Sequence, residues 1–224
     1  MTNGVSPVNS NQARSDILRK LAGRRSPEPT PSPSPNEPVA IQFSSADEFS
    51  ANIANNGALV TFASAPKKAL QAAKQLCMDN EWRQPPVVCP ALQTLCRKLR
   101  LWDWESERER EWEWEWESSD ARPTGTVAIT QAFCGIADTG TVLCLSSAGN
   151  PTSLNFLPEH HIVLLEKKQI VAGKQDAWRL LRNAALDTPR AINLISGPSR
   201  TADIEQTIQL GAHGPRSLTV IIVG

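Results

Sequence analysis

Residues 196–205 read Ser-Gly-Pro-Ser-Arg-Thr-Ala-Asp-Ile-Glu, which places three hydroxyls, one guanidinium and two carboxylates within ten positions. Ser196, Ser199 and Thr201 can donate and accept hydrogen bonds, and Arg200 offers a planar fork that matches a carboxylate or phosphate. Gly197 lets the backbone approach a ligand, and Pro198 stiffens the turn. The stretch follows an apolar run, Ala191 to Ile195, and precedes Ala202 to Leu210, which reads as a helix. A strand, a small-residue turn and a helix start would together hold an anion on unpaired N–H groups. The plain alternative is an ordinary capped helix after a core strand. Asp203 and Glu205 offset part of the Arg200 charge, so a carboxylate or a single phosphate fits better than a polyphosphate.

Few other residues are of a chemically active type. Asp138-Thr139-Gly140-Thr141 forms a second polar turn, and Asp138 and Glu205 are the carboxylates a covalent mechanism would use. His161 opens an aliphatic run, where a core histidine is the plain reading and a catalyst the sharper one. No nucleophile–base pair stands out, so no catalytic residue is assigned. The five cysteines (Cys77, Cys89, Cys96, Cys134 and Cys144) never fall at Cys-x-x-Cys spacing. They read as reduced thiols, with no metal site and no iron–sulfur ligand set.

The elements that must position these groups follow from the pattern. Residues 10–24 form a short amphipathic helix carrying Ile17, Leu18 and Leu21, so 1–24 is an N-terminal arm. Six prolines between 27 and 38 make residues 25–38 a semi-rigid linker. A single α/β domain is expected over 39–224. It starts with a capping box at Ser45 and Glu48, a helix ending at Gly57, and a buried strand from Ala58 to Ala63. Helices over 66–78 and 91–99 flank a strand at 87–89. Strands at 127–129, 141–145, 162–165, 191–195 and 218–223 follow, with a further short strand at 169–171 and a helix over 174–186. Such alternation predicts parallel strands with helical crossovers, a mostly parallel sheet between helices on both faces.

Residues 102–120 interrupt the domain. Trp112, Trp114 and Trp116 alternate with glutamates, which puts the indoles on one face of an extended chain. Acidic neighbours repel phosphate, so this is no nucleic-acid platform. Such an apolar face would pack on the domain or on a second copy, giving a homodimer. Lys and Arg equal Asp and Glu at 23 each, which argues for neither nucleic acid nor an anionic membrane as partner. No apolar run is long enough to span a bilayer, and no secretory signal pattern opens the chain, so a cytoplasmic location is expected.

Two geometric expectations concern the site. In open α/β sheets ligands sit beyond the carboxyl ends of the strands, which is where 196–201 is expected. A helix over 202–210 would then carry Gly211-Ala212-His213-Gly214-Pro215 about 13 Å away, leaving His213 structural or serving another subunit. Whether His161 shares a pocket with Thr141 turns on whether 141–145 and 161–165 run parallel or antiparallel.

Four motifs occur in order: 136–141 (Ile-Ala-Asp-Thr-Gly-Thr), 157–162 (Leu-Pro-Glu-His-His-Ile), 196–205, and 211–215. Together they resemble the LUD-domain family, in its lactate-utilisation protein C group, from about residue 125 onward. Asp138 stands where that family often has Glu, one methylene longer. The resemblance implies a three-layer NagB/RpiA/CoA-transferase-like fold. It also implies a bacterial lactate-to-pyruvate system in which two companion proteins carry the iron–sulfur clusters and this chain binds no cofactor. The expected function is a non-redox subunit that binds a small anionic metabolite or those iron–sulfur partners. The ligand set would be Ser196, Gly197, Ser199, Arg200 and Thr201, with Asp138, Thr139, Gly140 and Thr141 as a second wall. A CoA-transferase-like or ATP-dependent ligase-like enzyme, with Asp138 or Glu205 as nucleophile, is the first alternative; an assembly factor is the second.

Overall fold

The computed structural model describes residues 14, 15, 19, 20, 40–82, 86–101, 126–184, 186, 188–204, 207–211 and 213–224, with backbone only for 201–210. Contacts divide the chain into two units, Met1–Ala40 and Ile41–Gly224. In the first, Arg14, Ser15, Arg19 and Lys20 are helical and exposed. The apolar face expected at Ile17, Leu18 and Leu21, the proline-rich linker and the Trp/Glu segment lie outside the described residues.

The second unit is α/β, with a mostly parallel main sheet flanked by helices. Helix α1 (Ala46–Asn55) begins at Ser45, whose side chain accepts from the Glu48 N–H. Only this half of the capping box forms, because the Glu48 carboxylate accepts instead from the Ser44 hydroxyl at 2.6 Å. Strand β1 (Leu59–Ala63), α2 (Pro66–Asp79), β2 (Val87–Val88) and α3 (Pro90–Leu99) follow, and Pro66 and Pro90 each occupy a first helical turn, where no N–H is required. Strands β3 (Val127–Gln131), β6 (His160–Glu166) and β11 (Ser217–Val223) complete a five-stranded parallel sheet in the order β1-β11-β6-β3-β2. Its central strands are almost wholly aliphatic because both faces are covered. Ile162, Leu164, Ile221 and Val223 meet α2 and α3 on one face. Val163, Leu165, Val220 and Ile222 meet α1 and a second sheet on the other.

A second, smaller sheet lies beside the parallel one. Strands β4 (Cys134–Ile136), β5 (Thr141–Leu145), β7 (Ile170–Val171) and β8 (Ile192–Ile195) assemble in the order β7-β4-β5-β8, with both β5 pairings antiparallel. Its outer face packs on α4 (Lys174–Asn183) through Ala177 and Leu180. Strand β4 lies in the short stretch between β3 and the Asp138–Thr141 turn. Strand β1, expected to be buried, is an edge strand paired only with β11, and Leu59 and Phe62 are exposed.

The sharpest correction falls on 202–210. Residues 202–204 and 207–210 are strand rather than helix. β9 (Arg200–Ile204) and β10 (Thr207–Leu210) make an antiparallel hairpin. Thr201, Ile204, Thr207 and Ile208 are β-branched, and the extended backbone suits them better than a helix does.

Candidate functional site

The candidate residues gather around the carboxyl end of α1. Asn52 and Asn56 stand one turn apart on this helix and reach the same neighbouring turn. The Asn52 Nδ2 donates to the carbonyls of Ala137 (2.8 Å) and Asp138 (3.4 Å), and the Asn56 Nδ2 donates to the carbonyl of Thr139 (3.0 Å). Gly140, at φ +57°, presses directly onto the backbone of Asn52 and Ile53 and leaves no space for a side chain. The Asp138–Thr141 turn is thus clamped to the helix. Asn52 and Asn56 were not singled out from sequence. Their signal was the i, i+4 spacing of two amides flanking the Phe49–Ile53 stripe of the helix.

From this turn a hydroxyl relay runs to the long motif. Thr139 Oγ1 lies 2.9 Å from Thr141 Oγ1, which lies 2.8 Å from Ser196 Oγ. Thr141 is only 2% exposed, whereas Ser196 is open to solvent. The contact follows from the β5–β8 pairing, which sets Val142 opposite Ile195 and so brings the two strand ends together. Gly197 then abuts the Asn56 carbonyl. Arg200 extends across Gly57, so that a Cβ on Gly57 would collide with its guanidinium. Gly57, at φ +91°, therefore does more than stop the helix: it seats the arginine against the negative end of the α1 dipole. Among the described residues no carboxylate or hydrogen-bond acceptor engages the Arg200 guanidinium, and its fork remains exposed.

The hairpin also overturns the separation expected for Gly211–Pro215. Ser199 donates its N–H to the Pro215 carbonyl (2.8 Å) and accepts from the Gly211 N–H (2.9 Å), and Gly214 packs on the Ser199 side chain. The fourth motif therefore returns beside the third, with His213 exposed on that loop. Thr201 is placed on β9 by its backbone; Glu205 lies outside the described residues. Asp138 is exposed, with its carboxylate over Gly173 at the amino end of α4, a favourable position for a negative charge.

This cluster sits at the amino edge of the parallel sheet, not at the carboxyl edge expected from the strand–turn–helix reading. Gly57 precedes β1 and Pro215 precedes β11, while β8, from which the motif emerges, belongs to the other sheet. The same edge holds a stack of Trp82 on His160 (4.1 Å between centroids), a His160 Nδ1 to Ser217 Oγ contact of 2.8 Å, and an Arg216–Glu159 ion pair of 2.8 Å. Burial lowers the His160 pKa, against the opposing pull of Glu159.

His161 does not join the site. It is neither parallel nor antiparallel to the Thr141 strand, because the two belong to different sheets. It lies 1% exposed between Ala128 and Leu218, with Nε2 2.8 Å from the Thr130 hydroxyl. Burial lowers its pKa to about 3, so it is a neutral core residue at ordinary pH. The thiols are buried likewise. Desolvation pushes Cys134 and Cys144 up to about 12 and Cys77 and Cys96 up to about 11, which makes them poor nucleophiles. Among the described residues no three His, Cys, Asp or Glu side chains converge to hold a metal ion, and no helix is long and apolar enough to cross a membrane.

A parallel sheet backed by a mixed one, with the four motifs meeting near its amino edge, defines the class of domain. The chain belongs to the LUD domain family, whose sequence pattern matches residues 46–223. It is 38% identical over 99 residues to lactate utilization protein C of Shouchella clausii, covering 43% of each chain. It is 32% identical over 104 residues to the protein of the same name from Anoxybacillus flavithermus, covering 46% of each. The chain thus spans less than half the length of the curated relatives it matches. A solved DUF162 family protein from Deinococcus radiodurans aligns with a TM-score of 0.44 at 21% identity, over 80% of this chain and 95% of that one.

Proposed function

We propose that this chain serves a bacterial lactate-utilisation system as a subunit that binds a small carboxylate and performs no electron transfer itself. The observation that carries the reading is the exposed Arg200 fork, which no described residue engages, held at the meeting point of the motifs. A carboxylate would take the fork of Arg200 and, on its other oxygen or its α-hydroxyl, the Ser196 end of the hydroxyl relay. The neighbouring dipole end, and the pairing of the nearby Arg216 with Glu159, disfavour a highly charged phosphate. The names of the relatives support lactate or pyruvate as the first carboxylates to try. In this reading iron–sulfur clusters reside in companion proteins, and no cofactor is held by this chain.

Calorimetry and thermal-shift measurements with L-lactate and pyruvate test the ligand. Wild type is expected to bind at least one of them, and Arg200→Ala to lose the response. A response that survives the substitution would place the anion elsewhere. Growth on L-lactate of a strain lacking this chain tests the system: rescue by wild type and failure by Arg200→Ala is the expected pair.

A further inference from the structure

A second site opens at the far, carboxyl edge of the parallel sheet. A cavity of about 420 Å³ lies beside Gln131, Ala132 and Phe133, just past β3, and beside Ser146 and Ser147, just past β5. The chain leaving β2 turns to α3 on one face of the sheet, and the chain leaving β3 turns to β4 on the other. Where successive connections part in this way, a crevice is left at the strand ends, and ligands of α/β proteins occupy such crevices. The volume falls within the range of small-molecule sites.

The walls state what the occupant must offer. No lining residue is charged, which removes the means to hold a bare carboxylate or phosphate. Asn150 is 8% exposed, and its Nδ2 is fixed by the carbonyls of Gln131 (3.1 Å) and Leu145 (3.4 Å). That anchoring sets the amide orientation, and among the described residues neither Asn150 Oδ1 nor the Oε1 of Gln169, another residue lining the cavity, has a donor. Buried amide oxygens are seldom left so, and two on one cavity call for a molecule with hydrogens to give. The serines supply the opposite sense. Ser146 Oγ accepts from the Ala191 N–H (2.8 Å) and Ser147 Oγ from the Asn150 N–H (3.0 Å), so each keeps its own proton to donate. Phe133 and Leu145 add apolar surface.

We propose that this cavity binds an uncharged planar heterocycle of nucleoside size, with its N–H groups donated to Asn150 Oδ1 and Gln169 Oε1, a ring acceptor on the serine hydroxyls, and one face on Phe133. The site is separate from Arg200 and does not depend on carboxylate binding there.

Calorimetry of the full chain with adenosine and guanosine, with ribose and inorganic phosphate as controls, tests it. At least one nucleoside binds and neither control does. Gln169→Leu and Phe133→Ala, checked by circular dichroism for an intact fold, each weaken binding about fivefold to tenfold, the effect of one lost neutral contact. Failure of both nucleosides to bind wild type, binding of ribose or phosphate at equal strength, or unchanged affinity in both variants overturns the proposal.

Discussion

The guanidinium of Arg200 occupies the space that a side chain on Gly57 would need, 143 positions earlier in the chain. Glycine is therefore required there twice over, for its positive φ and for the arginine's seat. Gly57→Ala should cost about 1 kcal/mol from backbone strain alone, since the flexible arginine can swing away. The loss of function should be larger: with the fork displaced, the variant should match Arg200→Ala in its failure to respond to lactate or pyruvate. A normal ligand response in a Gly57→Ala protein would show that the seat is irrelevant.

Gly140 makes a contrasting case. Its missing side chain is replaced by the backbone of Asn52 and Ile53, which cannot swing aside. Gly140→Ala should destabilise by about 3 kcal/mol, in the upper part of the usual range, measured as a shift in the urea midpoint. A loss under 1 kcal/mol would mean that the turn is not clamped to α1.

The hydroxyl relay should weigh unequally at its two ends. Thr141→Val removes a buried partner and should cost about 1 kcal/mol, whereas Ser196→Ala removes an exposed one and should cost less than half as much. The reverse order in chemical denaturation would contradict the relay as drawn.

His161 sets a pH dependence. Its folded pKa is depressed to about 3, whereas the unfolded chain takes up the proton near 6.5. The stabilisation is therefore fully present above about pH 6.5 and is lost as pH falls toward 3, with a slope approaching about 1.4 kcal/mol per pH unit from this group. His161→Gln should flatten that slope by one proton's worth between pH 6 and 4. An identical slope in the variant would show that another group controls acid unfolding.

All five thiols should react slowly with an aromatic disulfide reagent in the native state and completely in guanidinium chloride, because each is buried and those with the largest shifts remain protonated well above neutrality. Rapid stoichiometric labelling of the native protein at pH 8 would refute this.

Much of residues 40–100 was legible because each element there is local. Ser45 caps, Phe49 and Ile53 repeat with helical period, and Pro66 and Pro90 mark helix starts. In the second sheet the strands at 141–145, 169–171 and 191–195 were legible, whereas Cys134–Ile136 is too short to carry any period of its own. The 202–210 region was misread for a physical reason. Hydroxyls followed by Asp203 and Glu205 imitate a helix start, and the pairing of β9 with β10 outweighs that local signal. Asn52 and Asn56 gain meaning only once the turn they hold is in place.

The strand β6 runs from His160 to Glu166, about 20 Å of stiff, doubly covered backbone, with the motif cluster toward one end and the uncharged cavity toward the other. The protein accordingly has two poles of opposite chemical temper, one cationic and open, one neutral and recessed. Under the two proposals above, a carboxylate at Arg200 and a heterocycle in the cavity would bind independently, neither blocking access to the other.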